Sequence, residues 1–187
     1  MAITKLDPNA ALVLVDLQKG IVGLPTAHPT SEVIARAAQL ARAFRERRMP
    51  VVLVNVTAAA PGRTEAGRPT LSFPEGWTKF VPELEQHPDD YLVSKQRVGA
   101  FHGTSLDAYL RGRGVTQVFL GGVSTSAGVE ATARSAYDLG YNVALVVDAM
   151  TDQNADTHRH SVEKIFPRIG ETETTENVLK LLNEQTT

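Results

Sequence analysis

Cysteine is missing from all 187 residues. That absence excludes a disulfide framework, a thiolate zinc site and a cysteine nucleophile. Charge of one sign is missing too: 19 Lys and Arg stand against 21 Asp and Glu, a formal net charge of −2. The balance carries no basic footprint for nucleic acid, so no nucleic-acid partner is expected. Long apolar runs are also lacking. The longest, residues 10–15, has six residues, far short of the ~20 that a bilayer-spanning helix needs. No charged start with a cleavable apolar stretch precedes it, so the sequence predicts a soluble, cytoplasmic chain with no membrane partner. A chain of this size buries about 70% of its unfolded surface, which leads to the expectation of one domain over 1–187 with its own core.

What is present is a rhythm of short apolar runs separated by helical patterns. Residues 11–15, Ala-Leu-Val-Leu-Val, do not alternate with polar residues and read as a strand buried on both faces. Further strands are predicted at 51–56, 91–94, 116–120 and 141–147, with a short one at 169–171. Helices are predicted at 31–48, 104–113, 125–139 and 156–166, with a last one from 174. Thr104 and Asp107 stand at capping-box spacing for the second of these. Strand then helix, repeated, means an α/β fold with a mostly parallel six-stranded sheet covered on both faces.

One segment breaks the rhythm. Residues 58–90 hold five of the ten prolines and three glycines, with Phe73, Trp77, Phe80 and Leu84 scattered among them. Irregular stretches of this length are usually functional lids or disordered, and the aromatics argue against disorder. The loop reads either as a lid or pocket wall, or as a surface excursion packed on itself or feeding an oligomer contact.

In open parallel sheets the site lies at the carboxyl ends of the strands. The first strand runs into Asp16 and then Gln18. A carboxylate in that place is half desolvated from the start, although turn and capping aspartates are common there as well. The third strand ends in Lys95, either a solvated charge or part of a site. The fourth ends in Gly121-Gly122-Val123-Ser124-Thr125-Ser126-Ala127-Gly128, read as a tight turn leading into a helix N-terminus. Such a turn offers backbone N–H groups to an oxyanion or carboxylate, or merely lets the helix pack close to the sheet. Neither a phosphate loop nor a GxSxG elbow is present. His158 and His160 point to different sides of a helix, and His28, His87 and His102 are isolated, so no metal site is predicted.

Taken together, Val15-Asp16-Leu17-Gln18, Lys95 with Gly99-Ala100-Phe101-His102-Gly103-Thr104, Gly122-Val123-Ser124-Thr125 and Glu130-Ala131-Thr132-Ala133-Arg134 resemble the isochorismatase-like hydrolase family. The resemblance implies a Rossmann-like three-layer α/β/α sandwich and a homo-oligomer, a dimer or tetramer, needing no cofactor. It implies that Asp16 and Lys95 are catalytic, and that the peptide joining Val123 and Ser124 is cis. It places Gly128 where most relatives carry a nucleophilic cysteine. Isochorismatases proper also have glycine there and cleave a vinyl ether instead. The implied substrate contacts are Gln18, Trp77, Phe101, Val123, Ser124, Thr125 and Ala127. Zinc ligands found in the nicotinamidases of the family have no counterpart after 51–56. The loop glutamine that isochorismatases use for substrate falls at Ala60, with Arg63 and Arg68 close by.

Three functions follow from this reading. The first is hydrolysis of a small anionic enol ether or related carbonyl compound, with Asp16 as acid or base. The second is amide or lactam hydrolysis by water activated at Asp16. The third is a non-catalytic ligand-binding or assembly protein on the same scaffold.

Overall fold

The six expected strands become β1 (Ala10–Val15), β2 (Val51–Val56), β3 (Tyr91–Lys95), β4 (Gln117–Val123), β5 (Asn142–Thr151) and β6 (Glu171–Glu173). The computed structural model describes residues 3–65, 67 and 73–184. All strand pairs are parallel, in the order β3-β2-β1-β4-β5-β6. β1 therefore lies inside the sheet with β2 and β4 on either side, which is why its residues are apolar without alternation.

The helices are α1 (Lys19–Val22), α2 (Thr30–Glu46), α3 (Leu106–Gly112), α4 (Glu130–Asp138), α5 (Ala155–His160) and α6 (Thr175–Glu184). They cover the sheet on both sides. Leu12 and Leu14 of β1 face α2 and α6, packing with Leu40, Phe44, Val178 and Leu182. Val13 and Val15 face the other way, toward Leu106, Leu110, Ala133 and Ala136 of α3 and α4. The period of two along a strand thus sorts one apolar run into two cores. Phe44 meets Phe119 edge-on across the first core, with ring centroids 5.3 Å apart, and trimming Phe44 to alanine would cost about 3–5 kcal/mol.

Several expected boundaries move. The third strand takes in Lys95, and the sixth lies at 171–173 rather than 169–171. The fourth strand continues through Gly121 and Gly122 to Val123, so those glycines are strand residues and not a turn. The fifth runs on to Thr151 because its register against β4 shifts: Leu120 opposes Leu145, but Gly122 opposes Met150. The predicted helix at 125–139 opens with a π-helical turn, Thr125–Val129, before α4. The helix at 156–166 divides into α5, a second π-helical turn at Ser161–Ile165 and a 3-10 turn. The Thr104–Asp107 capping box does not form. Asp107 instead accepts from the Tyr141 hydroxyl at 2.7 Å and from Arg111, while the Thr104 hydroxyl donates to the Ala100 carbonyl.

Candidate active site

The chain leaves β1 at Asp16 in a left-handed conformation, φ 54°. This turn directs a carboxyl group into the crevice beside β4, and the residue is only 5% exposed. Lys95, the last residue of β3, extends across β2 so that its Nζ lies 2.8 Å from Asp16 Oδ2. The same ammonium donates to the carbonyls of Arg97 at 3.3 Å and Val98 at 3.0 Å. An ammonium has three N–H donors, so all three of Lys95 are occupied. Asp16 Oδ1 is buried and has no hydrogen-bond partner among the described residues. Burial pushes the Asp16 carboxyl up to about 6 against the opposing pull of Lys95. A single ion pair at this depth does not repay the loss of water.

The second half of the site comes from β4. Gly122 has φ 124°, and a Cβ there would fall 2.0 Å from the Val15 carbonyl oxygen, so only glycine lets β4 lie this close to β1. The Val123–Ser124 peptide that follows is cis. The π-helical turn then brings Gly128 over Asp16. A Cβ at Gly128 would lie 3.2 Å from Asp16 Oδ2 and 3.1 Å from Val15 Cγ1, tight but not forbidden.

Asp16, Lys95 and Gly128 open onto one cavity of about 400 Å³. Of the expected substrate contacts, Trp77, Val123, Ser124 and Ala127 line it. Trp77 lies flat on Gly20 of α1, where a Cβ would collide with the indole ring at 2.0 Å, and its ring meets Phe73 at 4.4 Å between centroids. Ala58, Ala59 and Ala60 complete that side. Three expected contacts are not lining residues. Gln18 is fully buried and spends its amide on the backbone, accepting from Val56 N–H at 2.7 Å and donating to the Val56 and Trp77 carbonyls. Thr125 is turned away from the cavity, its Oγ1 2.8 Å from His158 Nδ1. Phe101 packs into the core near Tyr141. Arg63 is exposed and does not line the cavity, and Arg68 lies outside the described residues.

The Isochorismatase domain family matches residues 10–177. This chain belongs to the isochorismatase family. Among similar proteins, the isochorismatase family protein YecD of Escherichia coli O157:H7 is 39% identical over 183 residues, covering 93% of this chain and 96% of that one. The ureidoacrylate amidohydrolase RutB of Stutzerimonas stutzeri is 31% identical over 172 residues, covering 75% of this chain and 69% of its own. A solved isochorismatase family protein from Burkholderia thailandensis superposes with a TM-score of 0.94 at 39% identity, over 97% of this chain and 100% of that one.

Around the isochorismatase-family crevice stand residues that sequence reading missed. Arg97 lines the cavity. Asp152, just past β5, accepts from the Ser126 N–H at 2.7 Å and the Ser126 hydroxyl at 2.8 Å. The Ser126 N–H of the π-helical turn is therefore already held by an anion of the protein's own. His28 and His158 do not line the cavity; they meet edge-on, with ring centroids 4.6 Å apart, and His28 Nδ1 lies 3.0 Å from Thr151 Oγ1. Burial, with His28 alongside, holds His158 below the usual imidazole range. Among the described residues, no three His, Asp or Glu side chains gather as metal ligands would, and no helix is long and apolar enough to cross a membrane.

Proposed function

We propose that this chain hydrolyses a small anionic enol ether without a covalent enzyme intermediate, with Asp16 as the general acid. The observation that carries this reading is the bare Asp16 Oδ1 in a carboxyl pushed up to about 6. A carboxyl group held close to neutral pH and lacking donors is equipped to give a proton. No thiol competes for the role, since the chain has no cysteine. Gly128 stands at the position where most of the family carries its nucleophile, and its missing side chain leaves room beside Asp16 for the reacting carbon.

In the reaction, Asp16 protonates the terminal carbon of the vinyl ether and becomes a carboxylate. The oxocarbenium ion so formed is captured by water, whose proton returns to Asp16. The hemiketal then collapses to a ketone and an alcohol, so one water is consumed and the acid is regenerated. Lys95 stabilises the transient Asp16 carboxylate at 2.8 Å. The 58–90 loop serves as a pocket wall through Phe73 and Trp77.

A second reading has an observation in its favour: the similar protein from Stutzerimonas is named an amidohydrolase. There Asp16 would act as a base, activating water against an amide. The sign of the pH dependence separates the two. With a carboxyl near 6, an acid catalyst works fully below that pH and loses about tenfold per unit above it, whereas a base rises through 6 and levels off. The test is hydrolysis of isochorismate, of vinyl ethers bearing a single carboxylate and of small amides by the parent and Asp16→Asn across pH 5–8. Enol-ether turnover that declines above pH 6 and disappears in Asp16→Asn is expected. Turnover within tenfold of the parent in that variant overturns the assignment.

A further inference from the structure

Three charged side chains line the cavity among the described residues: Asp16, Lys95 and Arg97. The first two are committed to each other. Lys95 spends its remaining donors on the Arg97 and Val98 carbonyls, so it has no N–H left for a ligand. At the adjoining turn the Ser126 N–H is held by Asp152. Arg97 is different. It is half-buried and donates only to the Gln96 carbonyl beside it, at 2.7 Å from Nη1. It makes no ion pair among the described residues. A guanidinium has five donors arranged as a fork that matches a carboxylate, and four of them are open here.

Protonation of Asp16 on Oδ1 leaves Oδ2 accepting from Lys95 and adds one O–H donor, which the proposed reaction gives to the substrate carbon, so Arg97 remains the one charged lining side chain among the described residues with donors free for a carboxylate. The other polar lining side chains, Thr26, Ser124 and Gln153, are neutral, and the Thr26 hydroxyl is already given to the His28 carbonyl. Ile21, Leu24, Phe73, Trp77 and Val98 make the rest of the surface largely apolar. Among the described residues, a second buried carboxylate would have no charged partner, which is costly.

We infer that Arg97 is the specificity-determining residue of this site, and that it selects a carboxylate monoanion with a flat apolar body. The inference rests on the reading of this cavity as the active site, but not on the proton-transfer step. It separates the chain's preferred substrate from dicarboxylates such as isochorismate, which would then be a poor member of a broader enol-ether class.

The chain's single tryptophan, Trp77, lines the cavity and supplies the readout. Its fluorescence is titrated with benzoate, benzamide and isophthalate in the parent, Arg97→Ala and Arg97→Lys, with Asp16 left in place. Benzoate is expected to bind saturably and to weaken about tenfold or more in Arg97→Ala. Arg97→Lys should recover part of that loss. Benzamide should bind more weakly and be indifferent to Arg97, and isophthalate should bind no tighter than benzoate. Benzoate affinity within twofold of the parent in Arg97→Ala overturns the proposal. So do isophthalate bound tenfold tighter than benzoate, equal binding of benzamide, and no saturable benzoate signal at tens of millimolar. Because the measurement is equilibrium binding, its failure is distinct from failure of the general-acid reading, which is decided by turnover in Asp16→Asn.

Discussion

Two aspartates flank the same π-helical turn, each only 5% exposed, and their surroundings push them in opposite directions. Asp16 has one partner, Lys95, and an oxygen with none, so burial wins and its carboxyl rises to about 6. Burial also pulls Asp152 upward. There it is outweighed by hydrogen bonds from Ser126 N–H, the Ser126 hydroxyl, Asn154 N–H and the Thr157 hydroxyl, which hold its carboxyl below the ordinary carboxylate value. Depth alone does not decide what a carboxyl group does; the number of donors aimed at it does. Asp16 is the one that can carry a proton near neutral pH, and Asp152 is held as an anion that pins the turn in place.

The comparison can be broken most directly by amide substitution at each position. Asp16→Asn should lose about 10²–10⁴-fold in turnover, while Asp152→Asn stays within about tenfold. Equal losses would mean that the two carboxylates share a role. Lys95→Met should have the next largest effect. Lys95 lowers the Asp16 value, so removing it must raise it, moving the falling limb of the rate profile up by about one unit or more. A limb that stays near 6 would show that Asp16 is not the titrating group.

Asp152→Asn should cost about 1.5–3 kcal/mol of stability at neutral pH, read from urea unfolding. Since the folded-state value of Asp152 is lowered, its contribution is complete above the unfolded value of 3.8 and is lost as pH falls through the lower folded one. Parent and variant should therefore converge in acid. The smallest stability change is expected from Gly128→Cys. Better helix propensity there offsets the tight contacts at 3.1 and 3.2 Å, leaving a net change within about 1 kcal/mol. That variant should also gain measurable hydrolysis of small amides, because Asp16 and Lys95 then flank a thiol.

Asp16 and Lys95 were legible because each ends a buried strand with a charge, a combination that composition makes conspicuous. Trp77 was legible as an aromatic in a loop otherwise rich in proline and glycine. Asp152 was not. It reaches the turn only because β5 carries extra residues between Leu145 and Met150 that have no counterpart between Leu120 and Gly122 of β4. Gly121 and Gly122 misled for a related reason. Glycine signals a turn, but here it admits close neighbours: a Cβ at Gly121 would lie 2.9 Å from the Ala149 carbonyl oxygen. Gln18 lies next to the site in sequence, yet its amide fastens the end of β2 to the Trp77 segment. Arg97 stands two residues past Lys95, but nothing local says that its side chain lines the crevice while those of His28 and His158 do not.

The backbone at position 16 has a consequence for how this site can vary. With φ at 54°, a left-handed conformation that Arg48 and Glu85 also adopt in this chain, the position favours glycine, asparagine and aspartate. Of those three only one can release a proton, so conformation and chemistry narrow the choice to the same side chain. Glutamate, the obvious alternative acid, would take on backbone strain and a longer side chain beside Lys95, which makes this locus less forgiving to drift than an exposed position such as Arg63.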